Sequence, residues 1–169
     1  MSDIRQSVNA RTSTGAAWSR AGAAAAVGAA AANLVVLAVA RATDASLVVV
    51  DNGEAHGIDA GGVIFSSVVP VVIGVALTAL VALRWRGVVR LAQVVGGGFA
   101  LISVAGPLSI DTDAGTAAAL ALMHVVVGAA FVAGLEWARR SLTSSPASGA
   151  GAPGAALVPT DPAAGVARR

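Results

Sequence analysis

The sequence predicts an all-α fold: an integral membrane four-helix bundle with the N-terminus and the C-terminus in the cytoplasm. Of its 169 residues, 56% are hydrophobic and 12% are charged, and the charges cluster between long apolar segments. Soluble domains have about 25% charged residues. Segments 21–40, 61–83, 91–110 and 114–135 contain no charged residue. Because about 20 apolar residues in a helix cross the hydrocarbon core of a bilayer, each segment is predicted to be one membrane helix.

The first of these segments, residues 21–40, follows an N-terminal region, residues 1–20, that is predicted to be cytoplasmic. Segment 21–40 ends in Ala38-Val39-Ala40, which has the form of a signal-peptidase site. The apolar part of a signal peptide normally has about 7 to 15 residues, which is shorter than this segment. An uncleaved helix is therefore the favoured interpretation, and cleavage after Ala40 is the alternative.

The four helices are predicted to form one transmembrane domain over residues 21–140, with an outer loop at 41–60. This loop contains Leu47 to Val50 followed by Asp-Asn-Gly, which is typical of a strand that enters a turn. An extended segment on the lipid headgroups is the alternative for this loop. Residues 141–169 are rich in Ser, Pro, Gly and Ala, and this composition predicts a disordered cytoplasmic tail.

The arginines indicate the orientation of the bundle. The outer loops carry Arg41 alone, together with six acidic residues. All other arginines fall on the opposite side, which the positive-inside rule assigns to the cytoplasm. Trp18, Trp85 and Trp137 are expected at the same side, where indole rings anchor in the headgroup layer. The arginines of the predicted cytoplasmic side are Arg5, Arg11, Arg20, Arg84, Arg86, Arg90, Arg139, Arg140, Arg168 and Arg169.

Small and polar residues recur at helical spacing along one side of each segment, which is typical of packed membrane helices. The residues expected at helix contacts or turns are Gly74, Gly96, Gly97, Gly106, Pro107 and Gly128. At about 1.5 Å per residue, each helix also has one polar residue in the outer half of the membrane or at its midplane. This predicted polar layer consists of Asn33, Ser67, Ser103 and His124. It indicates interhelical hydrogen bonds, the favoured interpretation, or a small polar cavity that opens outward.

His124 is the ionisable residue inside the fourth segment, and such residues are candidates for function by default. A neutral imidazole that is bonded to Asn33 or Ser103 is equally consistent with the sequence. No catalytic, cofactor or metal site is predicted, since the chain has no Cys and the surroundings of His56 match no strong metal motif. Nucleic-acid binding is not expected, because the arginines flank apolar segments and no aromatic residues are interleaved with them in a basic stripe.

The stretch LISVAGPLSIDTDAGTAAALALMHVVVGAAFVAGL, residues 101–135, resembles a family of small four-span membrane proteins that is common in high-GC Gram-positive bacteria. This family is a domain of unknown function. The resemblance covers roughly residues 18–137 and implies an integral membrane protein with four helices, without a known activity or catalytic residues. It rests on Ser103, Gly106-Pro107-Leu108, Thr116 and Leu122-Met123-His124.

These observations predict a structural or accessory multi-pass protein that associates with itself or a partner through its helices. The predicted location is the cell membrane, which in a bacterium is the inner membrane. Its expected partners are the lipid bilayer and either a second copy of the chain or another membrane protein. A small transporter or channel subunit that uses the polar layer with His124 is the alternative function. An enzyme is not expected, because no nucleophile stands beside a recognisable base.

The orientation can be tested with reporter fusions. A reporter that is active only in the cytoplasm should be active when it is fused after Arg140 and inactive when it is fused at Gly53, because the positive-inside rule puts the outer loop outside. Reporter activity in cells is the measurement. Activity at Gly53 would contradict the four-span arrangement with both termini inside.

Overall fold

The computed structural model describes residues 2–85 and 87–143, and it confirms a helical fold. Within this part of the chain, four helical segments are long and apolar enough to cross a membrane: 14–42, 60–82, 88–109 and 114–143. A small hairpin of two strands lies between the first and the second segment. In chain order the elements are α1 Ser2–Ala42, β1 Val48–Asp51, β2 Glu54–Gly57, α2 Ala60–Ala82, α3 Val88–Ser103, α4 Ala105–Ser109 and α5 Ala114–Thr143.

The first and last helices are longer than predicted. Helix α1 begins at Ser2 instead of residue 21, and α5 continues to Thr143 instead of ending at residue 135. Charged residues marked the predicted ends, but they bond within the helix instead of ending it. In α5, Arg139 Nη2 and Arg140 Nε both lie 2.7 Å from Glu136 Oε1, at the spacings that stabilise a helix. Residues 144–169, most of the predicted tail, lie outside the described residues.

The third predicted helix, residues 91–110, is divided into two pieces. Helix α3 ends at Ser103, and the short helix α4 begins at Ala105. Pro107 has no N–H group to donate to the carbonyl oxygen of Ser103, four residues earlier, so a regular helix cannot pass this point without losing a hydrogen bond.

Helices α1 and α5 pack against each other through small side chains, and α1 also packs closely on α2. A Cβ atom added at Gly134 of α5 would lie 2.7 Å from the Cβ atom of Ala25 of α1, so these two backbones are as close as Gly and Ala allow. Larger side chains, among them Val71, Val75 and Leu135, complete the buried cluster around this contact. The core of the protein therefore lies between α1, α2 and α5.

The hairpin occupies one end of the bundle, which we call the hairpin end. Its strands pair Val48 with Gly57 and Asp51 with Glu54. The two turn residues, Asn52 and Gly53, have φ angles of 50° and 82°, the positive values that a two-residue hairpin turn needs. The outer loop therefore contains a strand that enters a turn, which is the first of the two predicted alternatives.

Asp113 ties the hairpin to the start of α5. Its carboxylate accepts hydrogen bonds from the hydroxyl and the backbone N–H of Ser46 and from the backbone N–H of Thr116 at 3.0 Å. The hydroxyl of Thr116 donates to the same carboxylate at 2.5 Å and accepts from the N–H of Leu47 at 2.9 Å. The hydrogen bonds from Ser46 and then from Thr116 hold the pKa of Asp113 well below its usual range, so it is charged near neutral pH.

The contact between α3 and α5 depends on a glycine. A Cβ atom added at Gly128 would lie 2.4 Å from the Cβ atom of Ala100, which no real pair of carbon atoms tolerates. Ala100 has no flexible side chain that could move away. The two helices must therefore separate if Gly128 becomes larger.

We accordingly expect Gly128→Ala to lower the free energy of unfolding by about 1–3 kcal/mol, the usual cost of overpacking. Gly98→Ala is the matched control, because a Cβ atom at Gly98 of α3 would meet nothing within 4 Å. Thermal unfolding in detergent, followed by circular dichroism, measures both variants. Equal stability of the two variants would contradict the close contact.

Candidate functional site

A groove of about 870 Å³ lies between α2 and α3, on the half of the bundle next to the hairpin end. Its walls are α2 between Gly62 and Gly74 and α3 between Gly96 and Ser103, and its floor is the stretch of α5 from Leu120 to Phe131. Most of its lining is apolar. We call this feature the α2–α3 groove.

The ring of Phe131 closes the inner end of the groove. A Cβ atom at Gly74 would lie 2.7 Å from Cε2 of this ring, and a Cβ atom at Gly96 would lie 2.3 Å from Cε1. The ring is therefore held between two glycines, one on each wall. This contact joins α2, α5 and α3 near the middle of the bundle, and the groove extends from it to Asp59 at the hairpin end.

Asn33 of α1 is 1% exposed and reaches the groove from behind its floor. Its Nδ2 atom donates to Ser67 Oγ at 2.9 Å and to the carbonyl oxygen of Met123 at 3.3 Å. Ser67 in turn donates to the carbonyl oxygen of Val63 at 2.6 Å. Asn33 thus joins α1, α2 and α5, but no group in residues 2–85 or 87–143 donates to its Oδ1 atom.

His124 is half-buried on the floor of the groove. Its Nδ1 atom lies 2.8 Å from the carbonyl oxygen of Leu120, and a carbonyl oxygen only accepts, so Nδ1 carries the hydrogen. In the neutral ring, Nε2 is then an acceptor. Within the described part of the chain, this nitrogen has no hydrogen-bond partner.

The structure places three of the four residues of the predicted polar layer in the lining of the groove. Asn33, Ser103 and His124 line the groove, whereas Ser67 is fully buried behind Asn33. The hydroxyl of Ser103 donates to the carbonyl oxygen of Ala100 at 2.7 Å, within its own helix. Of the two interpretations of the layer, interhelical bonding applies to the pair Asn33 and Ser67, while Ser103 and His124 face the groove.

The predicted packing residues differ in their surroundings. Gly74 and Gly96 contact Phe131, and Gly128 contacts Ala100. A Cβ atom at Gly97 would lie 3.4 Å from Val132 Cγ2, an ordinary contact. A Cβ atom at Gly106 would meet nothing within 4 Å, while Pro107 is buried.

Sequence reasoning did not identify Phe131 and Ser66 as groove residues. Phe131 follows Gly128 by three positions on the small-residue side of the fourth predicted helix, so helical spacing could have indicated it. Ser66 gives no such signal, because the neighbouring Ser67 is the serine at the predicted packing position.

Metal-binding side chains do not converge in the described residues. No group of three or more His, Asp or Glu residues lies close enough to hold a metal ion in that part of the chain. In the hairpin, His56 Nε2 lies 4.0 Å from Glu54 Oε2, an exposed pair. The groove is therefore the candidate site on which the functional argument rests.

Four long apolar helices around an apolar groove define a candidate multi-pass membrane protein. Residues 13–141 match DUF6069, a family of unknown function, and the chain belongs to that family. No curated protein and no solved structure shows significant similarity to the chain.

The bond between Asn33 and Ser67 can be tested with a pair of adjacent serines. Ser67→Ala should lower the free energy of unfolding by about 1 kcal/mol, because Asn33 then loses a buried acceptor. Ser66→Ala is the control, since the Ser66 hydroxyl bonds only within α2, to the carbonyl oxygen of Val63. Unfolding in detergent measures both, and an equal loss in the two variants would contradict the role of Ser67.

Proposed function

We propose that this protein is a non-enzymatic accessory protein of the cell membrane, which binds a membrane-soluble small molecule in the α2–α3 groove. In this proposal its four helices span the bilayer and both termini are cytoplasmic, as the arginines favour. The hairpin end then faces outward. The observation that carries the proposal is a groove of about 870 Å³, a volume typical of small-molecule sites.

The depth of the groove supports an occupant from one leaflet. From Gly62 to Gly74, α2 rises about 18 Å at 1.5 Å per residue. One leaflet of a bilayer contributes about 15 Å of the hydrocarbon core. The groove thus matches the length of a lipid-like molecule that lies in the outer leaflet.

Phe131 favours a small molecule over a partner helix or a transported solute. A transmembrane partner helix would need a surface along the whole bundle, but the groove ends at the ring between Gly74 and Gly96. For the same reason, the groove supports binding better than conduction across the membrane. The small transporter or channel subunit is therefore the weaker proposal.

A tryptophan in the groove tests this function. Ser66→Trp should displace the occupant, because Ser66 lines the groove and is exposed. Ile64→Trp is the matched control, since Ile64 is 41% exposed at nearly the same depth of α2 but lies outside the groove. Native mass spectrometry of the protein, purified from membranes in mild detergent, counts the molecules that remain bound.

We expect one bound molecule of membrane origin on the wild type and on Ile64→Trp, and its loss from Ser66→Trp. A wild type without any bound molecule, or equal occupancy of the two tryptophan variants, would overturn the proposed function.

A further inference from the structure

The polar side chains of the α2–α3 groove use all their polar hydrogens inside the protein. Asn33 donates both Nδ2 hydrogens, to Ser67 and Met123, and His124 donates from Nδ1 to Leu120. The two groove serines follow the same pattern, since Ser66 donates to the carbonyl oxygen of Val63 and Ser103 to that of Ala100.

One acceptor remains on the floor of the same groove, since the half-buried His124 ring holds its hydrogen on Nδ1 and leaves Nε2 without a partner in the described residues. Asn33 Oδ1 also has no donor within residues 2–85 and 87–143, but it is fully enclosed and a hydroxyl oxygen cannot reach it. Pro70, which lines the groove, has no N–H group to donate to the carbonyl oxygen of Ser66, one turn earlier in α2, so this oxygen lacks the donor of a regular helix.

We infer that the occupant is a neutral, largely apolar molecule that carries a hydroxyl group, such as a long-chain alcohol or a phenol, and donates its hydrogen to His124 Nε2. This inference rests on the proposed function, because it names the class of molecule that the groove binds. An alkane, an ether or an ester has no hydrogen to donate and would leave His124 Nε2 unsatisfied.

The charges around the groove favour a neutral molecule. Among the described residues, the one charged residue in its lining is Asp59, which lies at the hairpin end and accepts a hydrogen bond from the N–H of Gly62 at 2.7 Å. His124 lies ten residues into α5, about 15 Å from its start, where no counter-ion lines the groove. A charged group at that depth would be buried without a partner, which is strongly unfavourable.

Two probes of equal length separate the effect of the hydroxyl from that of the chain. Hexadecan-1-ol and its isomer 1-methoxypentadecane have equally long chains, but only the alcohol donates a hydrogen bond. We expect the purified protein to bind the alcohol about tenfold more tightly than the ether, since one hydrogen bond contributes about that factor. Titrations in detergent, followed by native mass spectrometry, give both dissociation constants.

His124→Phe keeps a ring of similar size but removes the acceptor, so it should reduce the preference for the alcohol over the ether to threefold or less. Leu122→Phe is the matched control, because Leu122 is 50% exposed on α5 and lies outside the groove. This variant should keep the tenfold preference. A preference that is unchanged in His124→Phe would overturn the assignment of His124.

The two levels of the proposal fail in different ways. If the wild type binds the alcohol and the ether equally, the hydroxyl inference is overturned and the proposed binding function stands. If the wild type binds neither probe, the proposed function itself is contradicted. The comparison of the two probes on the wild type remains decisive even if a variant does not fold.

Discussion

The close approach of α1 and α5 is the constraint on which the other features of the bundle depend. It requires residues without long side chains, as at Ala25 and Gly134, where one added carbon would come within 2.7 Å of its neighbour. Because α1 and α5 lie so close together, α2 packs chiefly on α1, and α3 packs chiefly on α5. The outer helices are thus supported by different partners, and the space between them becomes the groove.

The polar atoms of the groove connect this architecture with function. Asn33 stabilises the bundle through Nδ2, yet its buried Oδ1 atom lacks a donor in the described residues. A buried acceptor without a partner costs about 1–3 kcal/mol. A bound hydroxyl group would instead reach the half-buried Nε2 atom of His124, and a ligand that binds only the folded chain also stabilises it.

The sequence predicted the four long apolar helices, because charge clustering is a local property. It could not predict which helices are neighbours, and the position of Phe131 between Gly74 and Gly96 depends on that arrangement. Helix ends were also misjudged, since charged residues such as Glu136 continue a helix when their partners lie one turn away. Nothing in the sequence indicated that Trp18 is 8% exposed and packs in the core.

The bonds between Asp113 and Ser46 have a consequence for how a molecule reaches the groove. They fasten the hairpin to α5 and hold it in place. We therefore expect a molecule to enter by a route that does not require the hairpin to move. In the proposed bilayer, the opening between α2 and α3 faces the acyl chains. The molecule then enters the groove laterally from the bilayer. Occupancy would follow the mole fraction of the molecule among the lipids, and its aqueous concentration would matter only through partitioning.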